Sequence, residues 1–256
     1  MPIDPMSYLT TPVIMNFDTT ELSLGTGFFW NISGQDYLLT NWHNLTGKNP
    51  LTGNHLSPTA AEPNNIVVFP FTDDSYSARV PVQIEIFTAD GVPLWLEHPA
   101  LAEQADVVAL PLRLTPPLTM QSTNSYAPAP LVTSIGREVF ILGYPFGIGE
   151  YYLPVWKKGS IASEPDLAGH ESNYMLIDTA SRPGMSGAPV FQRSFVGFDD
   201  AEGRIAAVPA NRVAAKFLGI YSGRLTAQDP LDAQLGMVWP KSIIDEIFGS
   251  NTDSNS

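Results

Sequence analysis

Prolines and glycines are scattered along the whole chain, 23 of one and 20 of the other in 256 residues. Proline removes a backbone donor and clashes inside a helix. Glycine in a helix interior costs about 1 kcal/mol relative to alanine. Such punctuation leaves little room for long helices. Between the breakers lie short apolar or alternating runs: "GTGFFW", "DYLLT", "NIVVFP", "VPVQIEIF", "DVVALPLRL", "EVFILGYPF", "YMLIDT", "APVF", "KFLGIYSG" and "GMVWP". Short runs of this kind, separated by Pro, Gly, Asn and Asp, read as strands and turns, so an all-β fold is predicted. One segment departs from the pattern. In Pro240–Ser250, Pro240 suits a first helical position, Ile243, Ile244, Ile247 and Phe248 recur at helical spacing, and Gly249 marks a stop. A short C-terminal helix is expected there, followed by a polar, disordered tail over Ser250–Ser256. Leu45–Asn65 and Ala89–Ala105 read as loops, the first of them simply exposed. Pro128–Leu131 reads as a linker between two β halves.

Hydrophobic residues make up 44% of the chain, enough to build a sizeable core in a single domain spanning 1–256. No apolar run approaches the roughly 20 residues of a membrane-spanning helix. The N-terminal stretch lacks the basic start and apolar core of a signal peptide, so a cytoplasmic protein is expected. There is no cysteine, which excludes disulfides, thiolate nucleophiles and cysteine metal sites. A formal charge of −13 disfavours binding to phosphate backbones, and no basic stripe offsets it. The "WKK" at Trp156–Lys158 reads as a solvated strand end. Asn31-Ile32-Ser33 and Asn44-Leu45-Thr46 match the glycosylation pattern, which means little without a secretory route.

The chemistry concentrates in "SRPGMSGAPV", Ser181–Val190. A serine between glycines can be an ordinary turn. It can also be a nucleophile whose backbone must approach a substrate closely. A serine nucleophile at neutral pH needs a base. The chain has four histidines, His43, His55, His98 and His170, and His43 follows the apolar run "YLLTNWH" directly. There a side chain would be rigidly held yet open to a cleft. Asp106, at the start of "DVVALPL", would be partly buried and in need of a partner. A histidine ring N–H would satisfy it and fix the tautomer of the ring. Each residue alone also fits a structural role; the combination is more specific. Gly184 leaves the N–H groups of residues 184 and 186 free to converge as an oxyanion hole. No histidine follows Ser186, which rules out the α/β-hydrolase order. The order His43, Asp106, Ser186 is that of chymotrypsin.

On these motifs the chain, over roughly Leu24–Phe248, resembles the trypsin/chymotrypsin superfamily of serine proteases. "GTGFFW" is similar to the family's opening strand, "LLTNWH" to its histidine motif, "ADVVAL" to its aspartate motif and "RPGMSGAPV" to its serine motif. Ile141–Glu164 is similar to the first part of the second barrel of bacterial HtrA-type proteases, although the stretch after Ser186 is expected to be too short for their PDZ domain. The resemblance implies two antiparallel six-stranded β-barrels, at about 15–125 and 131–249, with the site between them. It implies a serine endopeptidase with catalytic His43, Asp106 and Ser186 and an oxyanion hole at Gly184 and Ser186. It needs no cofactor or metal, and its partner is a protein or peptide substrate.

Two departures from the family pattern carry expectations. Met185 stands where many secreted members have an aspartate that pairs with a newly cut N-terminus, so activation by such a cut is not expected. Ala180, at the floor of the primary pocket, is not an acid, which argues against a preference for Lys or Arg. The stretch Ser222, Gly223, Arg224 resembles the family's substrate-pairing wall. Arg182 and Arg224 could read an acidic side chain or be plain surface arginines; a small or medium uncharged side chain is the expectation. Two other classes stay open: a protease-shaped binding module that is idle or gated by an activating partner, and an esterase using the same residues.

Overall fold

Wherever the apolar runs lie, strands form. The structure, a computed structural model, describes residues 3–115, 117–126, 129–147, 149, 152–168, 173–180, 182–194, 197–199, 205–207, 214–224 and 234–252. The first half contains β1 (Thr10–Phe17), β2 (Thr20–Ile32), β3 (Gln35–Thr40), β4 (Asn65–Val68), β5 (Val82–Glu85) and β6 (Val108–Pro111). They form one antiparallel sheet in the order β5-β4-β1-β2-β3-β6. A core of Val13, Met15, Phe29, Leu38, Ile66 and Leu110 fills its concave face. The edges β5 and β6 do not pair directly. Instead Leu94 N–H donates to Ile86 O (3.0 Å), and Leu96 exchanges two hydrogen bonds with Ala109 (2.8 and 3.0 Å). An irregular segment inside the Ala89–Ala105 loop thus spans the seam, and its Trp95 is buried in the core.

The second half contains β7 (Glu138–Gly143), β8 (Val155–Ile161), β9 (Met175–Asp178), β10 (Pro189–Ser194), β13 (Ala214–Arg224) and β14 (Leu235–Pro240), with a hairpin of β11 (Gly197–Asp199) and β12 (Ile205–Ala207) between β10 and β13. The six long strands close into a barrel in the order β10-β13-β14-β9-β8-β7. Val139, Ile177, Val190, Tyr221 and Val238 fill it. The "WKK" stretch lies in the middle of β8 rather than at a strand end.

A one-turn helix, α1 (Trp42–Thr46), follows β3, and α2 (Lys241–Thr252) follows β14. Helix α2 starts one residue after Pro240, which ends β14. It runs through Ser250–Thr252, where a disordered tail was expected, because its apolar stripe has a place to dock. Ile243, Ile244, Ile247 and Phe248 are buried against Phe28 and Leu39 of the first sheet and Ile220 of the second barrel. Phe248 packs edge-on to Tyr37, with ring centroids 4.9 Å apart. Residues 253–256 of the expected tail lie outside the described residues.

The N-terminal segment is not an appendage of the first sheet. Met6 and Leu9 pack with Leu142 and Phe191 of the second barrel. Ser7 Oγ accepts a hydrogen bond from Trp156 Nε1 (2.8 Å), and Asp4 pairs with Arg193 (2.8 Å). The connection between the halves also packs: Ala129 N–H donates to Ala215 O (2.8 Å) and Leu131 is buried, while Pro128 of the expected linker lies outside the described residues. Among the described residues, no helix is long and apolar enough to cross a membrane.

Candidate functional site

His43 sits on α1, one turn of helix directly after the end of β3. Thr40 ends the strand, Asn41 adopts an extended conformation at the helix N-cap, and Gly47 stops the helix at φ 67°, donating its N–H to His43 O (3.0 Å). One turn of helix fixes the imidazole on a rigid base. Asp106 lies two residues before β6, with its side chain 2% exposed. Asn41 Nδ2 donates to Asp106 O (2.6 Å) and so ties the two segments together.

Three donors converge on the Asp106 carboxyl group. His43 N–H donates to Oδ1 (2.9 Å), while His43 Nδ1 (2.7 Å) and Ser222 Oγ both meet Oδ2. With Nδ1 as the donor to the carboxyl oxygen, Nε2 is left as the acceptor nitrogen of the neutral ring. Ser222, expected along a substrate-pairing wall, has a buried hydroxyl turned inward to Asp106. Its neighbour Gly223 faces the serine: a Cβ placed there would lie 3.7 Å from Ser186 Oγ. The side chain of Arg224 and residue His170 lie outside the described residues. Ala180 is half-buried just ahead of the serine turn.

The serine turn is built from backbone hydrogen bonds. Gly184 and Gly187 have φ of 92° and 88°, in the left-handed region that favours glycine. A Cβ at Gly184 would collide with Tyr144 O, and one at Gly187 with Thr26 O. Four consecutive peptide planes are each anchored. Pro183 O accepts from Phe146 N (2.8 Å), Gly184 O from Thr26 Oγ1 (2.7 Å), Met185 O from Ala188 N (3.1 Å), and Ser186 O from Thr26 N (2.8 Å) and Asn44 Nδ2 (3.2 Å). On the donor side, Met185 N reaches Arg182 O (3.3 Å) and Gly187 N reaches Tyr221 O (2.8 Å). Among the described residues, the N–H groups of Gly184 and Ser186 have no such partner. In a trans peptide N–H and C=O point in opposite directions. Anchoring the Pro183 and Met185 carbonyls therefore turns these two N–H groups the other way.

His43, Asp106, Ser186 and Ser222 all line one cleft of about 820 Å³. No hydrogen bond joins the His43 and Ser186 side chains; His43 Nδ1 is engaged with Asp106. The other wall was not legible in the sequence. Residues 48–56, read as plain exposed loop, form a self-bonded finger. Lys48 bridges His55, Leu56 N donates to Gly47 O (2.8 Å), and Asn49 Oδ1 accepts from Leu51 N (2.9 Å) and Thr52 N (3.1 Å). The finger brings Leu51 (77% exposed) and Leu56 (54% exposed) to the cleft that Tyr174 and Trp239 also line.

Other candidates fall elsewhere. His98 is buried outside the cleft, with Nε2 on Glu246 of α2 (2.8 Å) and Nδ1 accepting from Ala100 N and Leu101 N; it ties the loop before Asp106 to the C-terminal helix. His55 flanks Glu62 on the surface. Asn44, one of the two glycosylation matches, is buried and bonded to Thr40 Oγ1 (2.9 Å) as well as to Ser186 O. Among the described residues, no group of three or more His, Asp or Glu side chains comes together to hold a metal ion.

A family model described as a trypsin-like peptidase domain matches residues 25–196, more than half of the chain. Among solved structures, the fold is similar to a serine endoprotease from Yersinia pestis, with 17% identity and a TM-score of 0.51 over 98% of this chain and 67% of that one. It is also similar to a thermostable serine protease, AL20, from an extremophilic microorganism, with 14% identity and a TM-score of 0.56 over 98% and 99% of the two chains. No curated protein matches.

Proposed function

Because the chain belongs to the trypsin-like peptidase domain family, whose members are serine peptidases acting on proteins or peptides, we propose that it is an endopeptidase working through His43, Asp106 and Ser186 and an acyl-enzyme intermediate. The observation that carries this reading is the 2.7 Å hydrogen bond from His43 Nδ1 to a buried Asp106, in the same cleft as Ser186. In the proposed cycle Ser186 Oγ attacks the scissile carbonyl as His43 Nε2 takes its proton. The same nitrogen then returns that proton to the leaving amine. Asp106 holds the ring in the tautomer that leaves Nε2 free to accept, and it stabilises the imidazolium without taking the proton itself. The N–H groups of Gly184 and Ser186 receive the oxyanion in a hole whose donors need no rearrangement as charge develops. Water repeats the sequence on the acyl-enzyme.

A second reading, a site gated by a partner, is favoured by one observation: no hydrogen bond joins His43 and Ser186. Catalytic hydrogen bonds often close only on substrate, so this geometry fits both readings. Profiling with an internally quenched peptide library separates them. Turnover by the purified chain, absent in Ser186→Ala, supports the endopeptidase. Turnover of esters alone would leave the esterase, and no turnover of either would leave the gated module.

A further inference from the structure

Among the hydrogen-bond partners of the serine turn, one residue recurs. Thr26, in the middle of β2, is completely buried. Its N–H donates to Ser186 O (2.8 Å) and its hydroxyl donates to Gly184 O (2.7 Å). The same hydroxyl accepts from Tyr144 N (3.2 Å), and the Thr26 carbonyl accepts from Thr40 Oγ1 (2.8 Å). Thr26 belongs to the first sheet, whereas Gly184 and Ser186 belong to the second half. It is therefore a cross-link between the half that carries His43 and Asp106 and the loop that carries the serine.

We propose that Thr26 is a positioning residue of the serine turn: its hydroxyl on Gly184 O and its N–H on Ser186 O fix the peptide planes that follow Gly184 and Ser186, and so brace the adjoining planes, anchored at Pro183 O and Met185 O, that carry the two unpartnered N–H groups. This rests on the reading of Gly184 and Ser186 as oxyanion donors. The geometric reason is local. Gly184 at φ 92° lies where glycine is nearly indifferent between signs of φ, so its own conformational preference does not fix the neighbouring peptide planes. A peptide plane rotates as a unit, so a carbonyl held in one direction holds its N–H in the other. The planes on either side of Gly184 are anchored on Pro183 O and Gly184 O. Of these two anchors only the second is a side chain, and Thr26 supplies it. The hydroxyl serves two partners, donating to Gly184 and accepting from Tyr144 N, so losing it leaves two buried groups unpaired at once. The carbonyl of Thr26 also lies against Gly187, where a Cβ would collide with it, so β2 packs on the turn without a gap.

The test is the pair Thr26→Val and Thr26→Ser. Valine keeps the β-branched shape and removes only the hydroxyl; serine restores it. With a fluorogenic peptide cleaved by the wild type, Thr26→Val is expected to lower kcat by about 10²-fold, the scale of a lost oxyanion donor, with KM within threefold. Thr26→Ser is expected to recover kcat to within about fivefold of wild type. Amide hydrogen exchange over residues 182–187, read by mass spectrometry, is expected to speed up at least tenfold in Thr26→Val and to stay near wild type in Thr26→Ser. The exchange readout needs no turnover, so it tests the clamp even if Ser186 does nothing. Wild-type inactivity would sink the reading of the site and leave the exchange result to decide on the clamp. Unchanged exchange and unchanged kcat in Thr26→Val, or a serine variant as impaired as the valine one, would overturn the clamp.

Discussion

In the second half of the molecule six strands close a continuous hydrogen-bonded barrel, whereas the first half is a sheet whose seam is spanned by the irregular segment around residues 94–96. The contrast extends to the site. The first half presents His43 and Asp106 through a side-chain pair, whose carboxyl group also accepts from the His43 backbone N–H and from Ser222 of the second half. The second presents Ser186 through backbone chemistry, with anchored peptide planes and two glycines in left-handed conformations. Side-chain networks can be cut one atom at a time, while a backbone turn fails as a piece.

Variants that sort the two halves should show the contrast. Ser186→Ala and His43→Ala, one in each half, are each expected to lower peptide turnover on the order of 10⁶-fold with unchanged circular dichroism. The double variant should fall no further, since the two act as a unit; additive losses would separate them. Asp106→Asn should cost about 10⁴-fold, because the amide no longer dictates the tautomer of His43. Its fold should survive, with urea midpoints close to wild type as the check. Gly184→Ala strikes the backbone side. Its Cβ meets Tyr144 O, so turnover should drop by about 10²–10³ together with a lowered thermal midpoint. A loss of activity with no loss of stability there would contradict the idea that the turn fails as a piece.

The smallest effect lies at the seam between the halves. Tyr144 is fully buried, and its hydroxyl donates to Tyr152 O (2.8 Å) and lies 3.2 Å from Thr10 Oγ1. Burial pushes its phenol up from 10.0 to about 12. A folded-state value above the unfolded one means stability that is fully present below pH 10 and lost as pH rises through about 12. Unfolding free energy of the wild type should therefore decline more steeply over that window than that of Tyr144→Phe. Parallel curves would show that the phenol does not ionise with unfolding.

The chain order of histidine, aspartate and serine was legible because reaction chemistry restricts residue types, and the β architecture because Pro and Gly restrict helices. Helix α2 could be read from its apolar spacing, though its last residues could not, since docking of Ile247 and Phe248 extends it. What stayed hidden was non-local. Thr26 meets Gly184 across 158 residues and Asn44 meets Ser186 across 142, and neither a threonine in a strand nor an asparagine on a helix signals such a partner. Asn44 even carried a misleading signal, a glycosylation pattern on a buried side chain. The inward turn of Ser222 was equally invisible, because strand alternation says which face a residue takes and not which acceptor waits there. The finger over residues 48–56 looked like solvent-facing loop by composition, and only its internal hydrogen bonds make it a wall of the cleft.

The most direct measurement is covalent. Purified protein would be treated with a fluorophosphonate, and the adduct located by peptide mass spectrometry, with His43→Ala as control. The account predicts a single adduct on Ser186 in the wild type and none in His43→Ala. No adduct on a folded wild-type chain, or an adduct that forms equally without His43, would contradict a serine activated by that base.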